Sequence, residues 1–310
     1  MSAPATASST PGSAGARGFG RRSTADEVTR GLDLSGRTVL VTGCSSGLGA
    51  ETLRVLCARG ARVVGAARTL ESARSACDRM AGRAVPVACD LSEPGSILAA
   101  VARIRELGLT LDAIIANAGV MAPPRLVQKH GYELQFFTNH VGHHLLVTRL
   151  LDRLSDTGRV VMLSSSAHRR APPEGIRLDD LSGEKSYSPW TAYGQSKLAN
   201  LLFAKHLATR LPRPGQTSNS VHPGVIRTNL QRHLGPGLRA LFAIFGPLFT
   251  KTVPQGAATQ CYVAAHPAAA GVSGEYFEDC TVARPSRQGR DAALAAALWE
   301  RTERIVSSLT

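Results

Sequence analysis

The sequence predicts an α/β fold with a single doubly wound parallel sheet of seven strands, flanked by helices. Two observations support this prediction: short apolar runs recur along the chain, and segments with helical periodicity separate them. The runs are apolar without alternation, which is typical of strands buried on both faces. Right-handed crossovers would place helices on each face of the sheet. We therefore predict one domain over residues 31–310, after a disordered tail over residues 1–30.

The predicted elements alternate along the chain. The strands are Arg37–Thr42, Arg62–Ala66, Ala84–Cys89, Leu111–Ala116, Arg159–Ser164, Thr217–His222 and Glu275–Phe277. The helices lie near residues 47–59, 70–81, 93–107, 129–154, 191–211, 255–266 and 289–307. In such a fold the carboxyl ends of the strands form one edge of the sheet, where ligands bind.

The composition describes a chain that can bury a sizeable core. Of 310 residues, 43% are hydrophobic and 19% are charged, which excludes wholesale disorder. No run reaches the roughly 18 apolar residues of a membrane-spanning helix. The net charge of +13 comes from dispersed arginines, without the dense basic run of a nucleic-acid surface. We expect no nucleic-acid partner, and attraction to phosphorylated cofactors or anionic lipid stays open.

The first 22 residues are nearly all Ser, Ala, Thr, Pro, Gly and Arg, which predicts a disordered tail. No acid precedes Asp26 and three arginines are present, so a transit peptide is the alternative. The six cysteines are widely spaced and include no C-x-x-C pair, which favours reduced thiols. We expect a cytoplasmic protein, with organellar targeting left open.

A glycine-rich turn, Thr42–Gly49, follows the first strand directly and leads into a helix. Gly43 permits the tight turn, Gly47 lets the backbone approach a pyrophosphate, and Gly49 allows close helix–strand packing. The helix N-terminus adds unpaired N–H groups and the positive end of a dipole. A tight structural turn has the same pattern, but the position in the first βα unit favours dinucleotide binding.

The tip of the second strand indicates which nicotinamide cofactor binds. An acid about 20 residues past the glycines would bind the ribose hydroxyls and repel a 2′-phosphate. Ala67 and Arg68 occupy this tip instead. Arg68 could stack on adenine and grip the 2′-phosphate, or be an ordinary exposed arginine at a helix start. We predict NADP(H), with NAD(H) as the alternative.

Tyr193 and Lys197 are four residues apart at the start of a helix, which places them on one face. A phenol ionises at about pH 10, and an ammonium held close favours phenolate and lowers that pKa. The pair could then act as an acid or base near neutral pH. This spacing arises by chance in many proteins, so the other motifs along the chain decide whether the pair is catalytic.

In order along the chain, the motifs resemble the short-chain dehydrogenase/reductase family over roughly residues 20–280. The matching parts are Thr42–Gly49, Asp90, Asn117–Gly119, Asn139, Ser164–Ser165, Tyr193 with Lys197, and His222–Gly224 leading to Thr228. Four shorter sequence motifs resemble the retinol-dehydrogenase-like branch of the family, which includes WW-domain oxidoreductases, although this sequence shows no WW domain. These motifs are Ser23–Asp26, Asn139–His143, Ser165–His168 and Ser196–Asn200. The resemblance implies a Rossmann sheet.

The resemblance also implies catalytic roles. Tyr193 would be the general acid that protonates the forming alkoxide, or the base in alcohol oxidation. Lys197 would lower the pKa of Tyr193 and bond the nicotinamide ribose. Ser165 would polarise the substrate oxygen, a choice over its serine neighbours that depends on the family's register. Asn139 would hold a water in the proton relay.

The implied cofactor contacts follow the strand ends. Asp90 would contact the adenine, Asn117 would hold the turn after the fourth strand, and Thr228 would bind the nicotinamide carboxamide. The full set is Gly43, Ser45, Ser46, Gly47, Leu48, Gly49, Arg68, Asp90, Leu91, Asn117, Ala118, Gly119, Tyr193, Lys197, Pro223, Gly224, Val225 and Thr228.

Two further signals allow several interpretations. His140, His143 and His144 crowd one helix without an H-E-x-x-H pattern, so we predict no metal and expect packing or surface side chains. The apolar segment 238–249 lies in the family's substrate-covering region, about residues 227–252. It could be a lid over a bulky apolar substrate, which we favour, a core helix or a shallow membrane contact.

Together these features predict an NADP(H)-dependent oxidoreductase that reduces a ketone or aldehyde, or oxidises the alcohol, on a bulky hydrophobic substrate. Two alternatives stay open: reduction of an activated C=C bond, and a non-catalytic protein that senses NADPH. The helices near 129–154 and 191–211 could form a homo-oligomer contact or belong to the core of one chain.

Overall fold

The computed structural model describes residues 18–226 and 250–310, and it has the predicted α/β architecture. The strands are β1 (Thr38–Thr42), β2 (Arg62–Ala67), β3 (Ala84–Ala88), β4 (Leu111–Ala116), β5 (Gln128–Lys129), β6 (Tyr132–Glu133), β7 (Leu154–Leu163), β8 (Thr217–His222), β9 (Tyr276–Glu278) and β10 (Thr281–Val282). All except the β5–β6 hairpin belong to one sheet, in the order β10-β9-β8-β7-β4-β1-β2-β3. The strand order reverses between β1 and β4, which opens a crevice beyond their carboxyl ends.

The sheet of the described residues has eight strands, so the predicted count of seven is one short. The seven predicted strands are parallel neighbours, and the additional β10 pairs antiparallel with β9. The connecting turn holds Asp279 and Cys280 at φ of 53° and 62°. Both residues adopt the left-handed region without glycine, so the turn lacks the usual hairpin signal.

Helices cover both faces of the sheet. They are α1 (Ala25–Val28), α2 (Gly47–Ala58), α3 (Leu70–Cys77), α4 (Pro94–Glu106), α5 (Leu134–Phe136), α6 (Gly142–Thr148), α7 (Pro189–Leu207), α8 (Val253–Ala265) and α9 (Ala292–Leu309), with a π-helical segment, Phe137–Val141, between α5 and α6. Leu40 faces the core beneath α4, α6, α7 and α9. Its neighbours Val39 and Val41 face the core beneath α1, α2, α3 and α8. Both faces are buried, which explains the unbroken apolar runs.

The predicted helix over 129–154 is wrong at both ends. Lys129 and Tyr132 pair across a hairpin whose turn, His130–Gly131, has φ of 53° and 80°. Two positive φ values in a two-residue loop make the type I′ turn, which matches the twist of paired strands. The helical segment therefore begins at Leu134, and β7 begins already at Leu154.

The predicted tail over 1–30 is too long. Thr24 and Glu27 form a reciprocal capping box, and Ala25 and Val28 on α1 are fully buried against the core under α8. A capped helix with two apolar anchors offsets its ordering entropy, unlike the Ser- and Gly-rich stretch before it. The part of the predicted tail over residues 1–17 lies outside the described residues.

The C-terminal helix α9 covers part of α7, one of the helical regions for which a homo-oligomer contact was left open. Trp299 of α9 stacks on Phe203 of α7 with ring centroids 5.4 Å apart. This part of α7 is therefore core within one chain. Among the helices of the described ranges, none is long and apolar enough to cross a membrane.

Candidate active site

The turn between β1 and α2 requires glycine for two reasons: positive φ values and close backbone packing. Gly43 and Gly47 have φ of 69° and 54°, which side chains rarely adopt. At Gly49 a Cβ atom would lie 2.1 Å from the carbonyl oxygen of Gly43, so only glycine lets α2 pack this close. Ser46, the N-cap of α2, makes no side-chain cap bond. The first N–H groups of α2 thus keep the open geometry that binds phosphate.

A groove of about 590 Å³ extends from this turn along the carboxyl ends of the strands. Most of the predicted cofactor residues line it, namely Gly43, Ser45, Ser46, Leu48, Gly49, Arg68, Asp90, Leu91, Asn117, Ala118 and Gly119. Gly47, Tyr193, Lys197 and Pro223–Val225 do not line it, and Thr228 lies outside the described residues. Ala67, singled out at the tip of β2, also lines the groove, and the residues that were not predicted are Cys89, Ser92, Val120, Lys129, Leu134, Thr138 and Leu163. Several of these neighbour a strand end, which is the signal that could have identified them.

Two loops of the groove are held by their own polar side chains. Asp90 accepts from the backbone N–H and the hydroxyl of Ser92, at 2.9 and 2.7 Å. Asn117 donates from Nδ2 to the carbonyl oxygen of Thr42 at 2.8 Å, which ties the end of β4 to the end of β1. The volume, the glycine cradle and the open helix N-terminus fit an elongated phosphorylated dinucleotide.

Tyr193 lies on the first turns of α7, near the side chain of Ser165. Burial raises the pKa of Tyr193 to about 12, although the Ser165 side chain acts to lower it. Loss of hydration is thus the larger effect on this pKa, and the role of Lys197 in lowering it stays a prediction. At neutral pH the phenol is protonated and suited to donate a proton.

The neighbouring serines have other partners. Ser164 donates to the backbone carbonyl oxygen of Lys197 at 2.8 Å, away from the Tyr193 hydroxyl. The backbone N–H of Ser166 donates to Nδ1 of His222 at 3.2 Å. The Ser165 side chain acts on the pKa of the phenol, and its role at the substrate oxygen stays a prediction.

Lys197 is buried one turn further along α7. Its Nζ donates to the carbonyl oxygen of Leu163 at 2.9 Å and lies 5.7 Å from the ring centroid of Tyr193. Burial lowers the pKa of Lys197 to about 8. A Cβ atom at Gly119 would lie 3.5 Å from this Nζ, so the glycine at the groove keeps the ammonium close to the space for a ligand.

Asn139 lies in the π-helical segment and is fully buried. Its Oδ1 accepts from the N–H of Val120 at 2.8 Å, and its Nδ2 donates to Val120 O at 3.0 Å and to Ser196 Oγ at 2.9 Å. The side chain thus joins the loop after β4 to α7. Short π-helical segments are frequent at functional sites. Its role in holding a water stays a prediction.

The turn after β8 closes the other side of the site. Gly224 has a φ of 90°, and a Cβ atom there would lie 2.6 Å from the side chain of Lys251. Lys251 is buried and forms an ion pair with Asp279 at 2.5 Å. Ile226 pairs with Lys251, so the two described ends of the predicted covering segment meet. The rest of that segment, with the apolar stretch 238–249, lies outside the described residues.

The three crowded histidines are all buried, which agrees with the packing alternative of the prediction and not with the surface one. His140 bonds Thr302, and His144 bonds Glu303, both on α9. His143 instead bonds residues at the site, a connection that the sequence analysis missed. Its spacing of four residues from Asn139 is the signal that could have indicated it. Within residues 18–226 and 250–310, no three His, Cys, Asp or Glu side chains are grouped to hold a metal ion.

Comparisons with known proteins agree with this architecture. Residues 37–177 match the family model described as short chain dehydrogenase. Over 96% of this chain and 97% of the relative, the sequence is 43% identical to Short-chain dehydrogenase TIC 32 B, chloroplastic, from Brassica napus. It is 36% identical to Retinol dehydrogenase 14 from Homo sapiens, over 89% of this chain and 88% of the relative. It is 37% identical to the WW domain-containing oxidoreductase of Drosophila melanogaster, over 94% and 73%.

Solved structures show the same fold. A protein from Mycobacterium Paratuberculosis has a TM-score of 0.72 at 34% identity, covering 90% of this chain and 97% of that one. The angucycline C-6 ketoreductase LanV, solved with bound NADP, has a TM-score of 0.65 at 27% identity, covering 79% and 95%. The predicted family is therefore confirmed: this chain belongs to the short-chain dehydrogenase/reductase family, in its retinol-dehydrogenase-like branch, and is an NAD(P)-dependent oxidoreductase.

Proposed function

We propose that the protein reduces a ketone or aldehyde with NADPH. One observation carries the proposal: the buried ammonium of Lys197 lies 5.7 Å from the ring centroid of Tyr193, whose pKa the side chain of Ser165 acts to lower. The groove with the glycine turn reaches Leu163 and Gly119, which contact or approach the Lys197 Nζ. A dinucleotide in the groove would therefore present its nicotinamide end to these three side chains.

The preference for NADP(H) is supported by the end of β2. Ala67 and Arg68 line the groove there, and no ion pair of the described residues engages Arg68. The guanidinium is thus available for a 2′-phosphate, which it can bind with two parallel N–H donors. LanV was solved with NADP, and a 26% identical protein from a metagenomic library was solved with NADPH.

The side chains of the site supply the proton and stabilise charge. When bound, the nicotinamide supplies the hydride to the carbonyl carbon. The Ser165 hydroxyl would donate to the substrate oxygen, and the Tyr193 phenol would give its proton to that oxygen as negative charge develops. The Lys197 ammonium, close to the Tyr193 ring, would stabilise the phenolate that remains. A phenol that is protonated at neutral pH favours the reductive direction.

A bulky hydrophobic substrate is supported by apolar side chains near the reacting groups. Trp190 is 42% exposed and makes an edge contact with Tyr193, with ring centroids 6.1 Å apart. Met121 and Val225 are 38% and 54% exposed, and they follow the ends of β4 and β8. Exposed apolar groups beside a catalytic pair favour an apolar substrate body. The LanV relative is, by its title, a ketoreductase of an angucycline.

A carbonyl panel tests the proposal, with NADPH oxidation followed by absorbance and product mass determined for each substrate. We expect turnover of bulky apolar ketones or aldehydes, and a loss of about 10²- to 10⁴-fold in kcat for Tyr193→Phe with NADPH affinity unchanged. Tyr187→Phe is the matched control, because its hydroxyl bonds the carbonyl oxygen of Pro123 instead. Unchanged turnover in Tyr193→Phe contradicts the assigned role. A product that is saturated at a former C=C bond and keeps its carbonyl would support the first alternative, and NADPH binding without turnover would support the second.

We propose a cytoplasmic location, with delivery to an organelle as the alternative. The relative from Brassica napus is chloroplastic by name. The acid-free start of this chain, with its three arginines, supports the alternative. Fluorescent fusions of the full chain and of residues 18–310 distinguish the two, because only the full chain would enter an organelle.

A further inference from the structure

One buried histidine outside the predicted catalytic set connects the two ends of the site. His143 on α6 is fully buried, with Nε2 at 2.9 Å from Thr42 Oγ1 and Nδ1 at 2.8 Å from the carbonyl oxygen of Asn139. A carbonyl oxygen only accepts, so Nδ1 carries the proton and Nε2 accepts from the Thr42 hydroxyl. Burial lowers the pKa of His143 to about 4, so the ring keeps this neutral form at pH 7.

The hydroxyl of Thr42 is fully used in this arrangement. Its oxygen accepts from the N–H groups of Asn117 and Ala118, at 2.9 and 3.0 Å, while its proton points to His143. A hydroxyl offers one donor and two lone pairs, and all three are engaged. These hydrogen bonds therefore join the end of β1 to the end of β4 and to α6, and the donor and acceptor of each bond are fixed.

From Asn139 the bonds continue to the turn of α7 that carries the catalytic pair. Asn139 Nδ2 donates to Ser196 Oγ at 2.9 Å, and Ser196 Oγ donates to the backbone carbonyl oxygen of Tyr193 at 2.8 Å. Asn139 and Ser196 are both fully buried. Hydrogen bonds thus join the glycine turn through His143 to the backbone of Asn139, and the side chain of Asn139 continues the connection through Ser196 to the backbone carbonyl oxygen of Tyr193.

We propose that His143 is a positioning residue that sets the separation between the glycine turn and the Tyr193–Lys197 turn, an inference that rests on the function proposed above. The glycine turn would hold one end of the cofactor, and Tyr193 must meet the substrate at the other. A displacement of about 1 Å between reacting groups costs on the order of 100-fold in rate. His143 does not line the groove, so its loss should slow the chemical step and leave NADPH affinity nearly intact.

The first test compares His143→Gln with His140→Gln. His140 is equally buried just before α6, but it bonds Thr302 on α9 and is outside the series of bonds. We expect His143→Gln to lower the single-turnover rate about 10- to 100-fold, with the Kd for NADPH within about threefold of wild type. We expect His140→Gln to lower the Tm comparably and to keep the rate within about twofold, because it removes a buried bond elsewhere.

A second readout does not need turnover. The chain has five lysines, so ¹³C-labelled lysine gives few signals, and Lys197→Met assigns the one with a pKa of about 8. We expect His143→Gln to raise that pKa by about half a unit or more, because a loosened turn hydrates the ammonium, and His140→Gln to leave it unchanged. If the wild type reduces no carbonyl, the proposed function fails, and this titration still decides the role of His143.

Thr42 provides the second pair of variants in case His143→Gln does not fold. Thr42→Val removes the hydroxyl and should reproduce the slow chemical step, whereas Thr42→Ser keeps the hydroxyl and should restore it. In one series of bonds the double variant should be little worse than the worse single variant. The proposal is overturned if His143→Gln keeps both the rate and the Lys197 pKa of the wild type. It is also overturned if His140→Gln reproduces the effects of His143→Gln.

Discussion

The two ends of the site are held by different kinds of interaction. At the phosphate end, eight consecutive residues, Thr42–Gly49, form the turn, and close backbone approach decides its shape. At the catalytic end, Ser165, Asn139 and the Tyr193–Lys197 pair come from three separate segments, joined by bonds such as Lys197 to Leu163 and Asn139 to Ser196. The first end is therefore sensitive to added volume, and the second to changes in charge and hydrogen bonding.

Gly49→Ala at the phosphate end should have the largest effect on stability and on cofactor affinity. The added Cβ would meet the Gly43 carbonyl oxygen at 2.1 Å, so the backbone must move. We expect a loss on the order of 3 kcal/mol in the free energy of unfolding, and NADPH affinity lowered about tenfold or more. Gly95→Ala on α4 is the matched control, since nothing lies within 4 Å of its Cβ position. Denaturant melts and cofactor titration should show little change there, and equal effects in both variants would contradict the steric argument.

Lys197→Met tests the electrostatic character of the catalytic end. Burial lowers the pKa of Lys197 from 10.5 to about 8, so the unfolded chain binds the proton more tightly and burial of the charge destabilises the fold below about pH 8. That cost, on the order of 3 kcal/mol, fades as the pH rises from about 8 to 10.5. The variant should be more stable than wild type at pH 7, with a difference that shrinks over this window. Asn200 Nδ2 still bonds the Leu163 carbonyl oxygen at 3.1 Å after the substitution. A stability difference that is constant with pH would contradict the prediction.

Arg68→Ala tests whether charge also contributes to cofactor binding at the phosphate end. We expect the Kd for NADPH to rise about 10- to 100-fold, because charge-assisted bonds to a 2′-phosphate are lost. The Kd for NADH should change by less than about threefold, since it has no such phosphate. Arg74→Ala is the control, because Arg74 is exposed on α3, just after Arg68, and does not line the groove. Isothermal titration with both cofactors measures the difference, and parallel losses for the two would argue against NADP(H) specificity.

Val28→Ala should have the smallest effect and should leave both ends of the site intact. Val28 is 1% exposed on α1, so truncation costs about 1–2 kcal/mol of stability. Cofactor affinity and kcat should stay at wild-type values, because α1 contacts neither the groove nor α7. An unchanged Tm would mean that α1 does not contribute to the core.

The sequence was most informative where function depends on local backbone. The glycine turn could be predicted because the local backbone geometry requires glycine at each of these positions. The strands could be predicted because both of their faces are buried, which makes their sequences continuously apolar. The hairpin at His130–Gly131 was missed because its first turn residue is His instead of Asn, Asp or Gly, and the turn at Asp279–Cys280 was missed because it has positive φ without glycine. Helix α1 was missed although Thr24 and Glu27 carry a capping signal.

The order of residues along the chain was enough to indicate the family, the fold class and the groups at the two ends of the site, including Ser165, because motif spacing and hydrophobic pattern can be read from it. The folded arrangement was needed to see that burial raises the pKa of Tyr193, that Ser164 donates to the carbonyl oxygen of Lys197, and that His143 joins Thr42 to Asn139. These properties depend on burial and on contacts between residues far apart in the chain, and neither dehydration nor distance is encoded in local spacing.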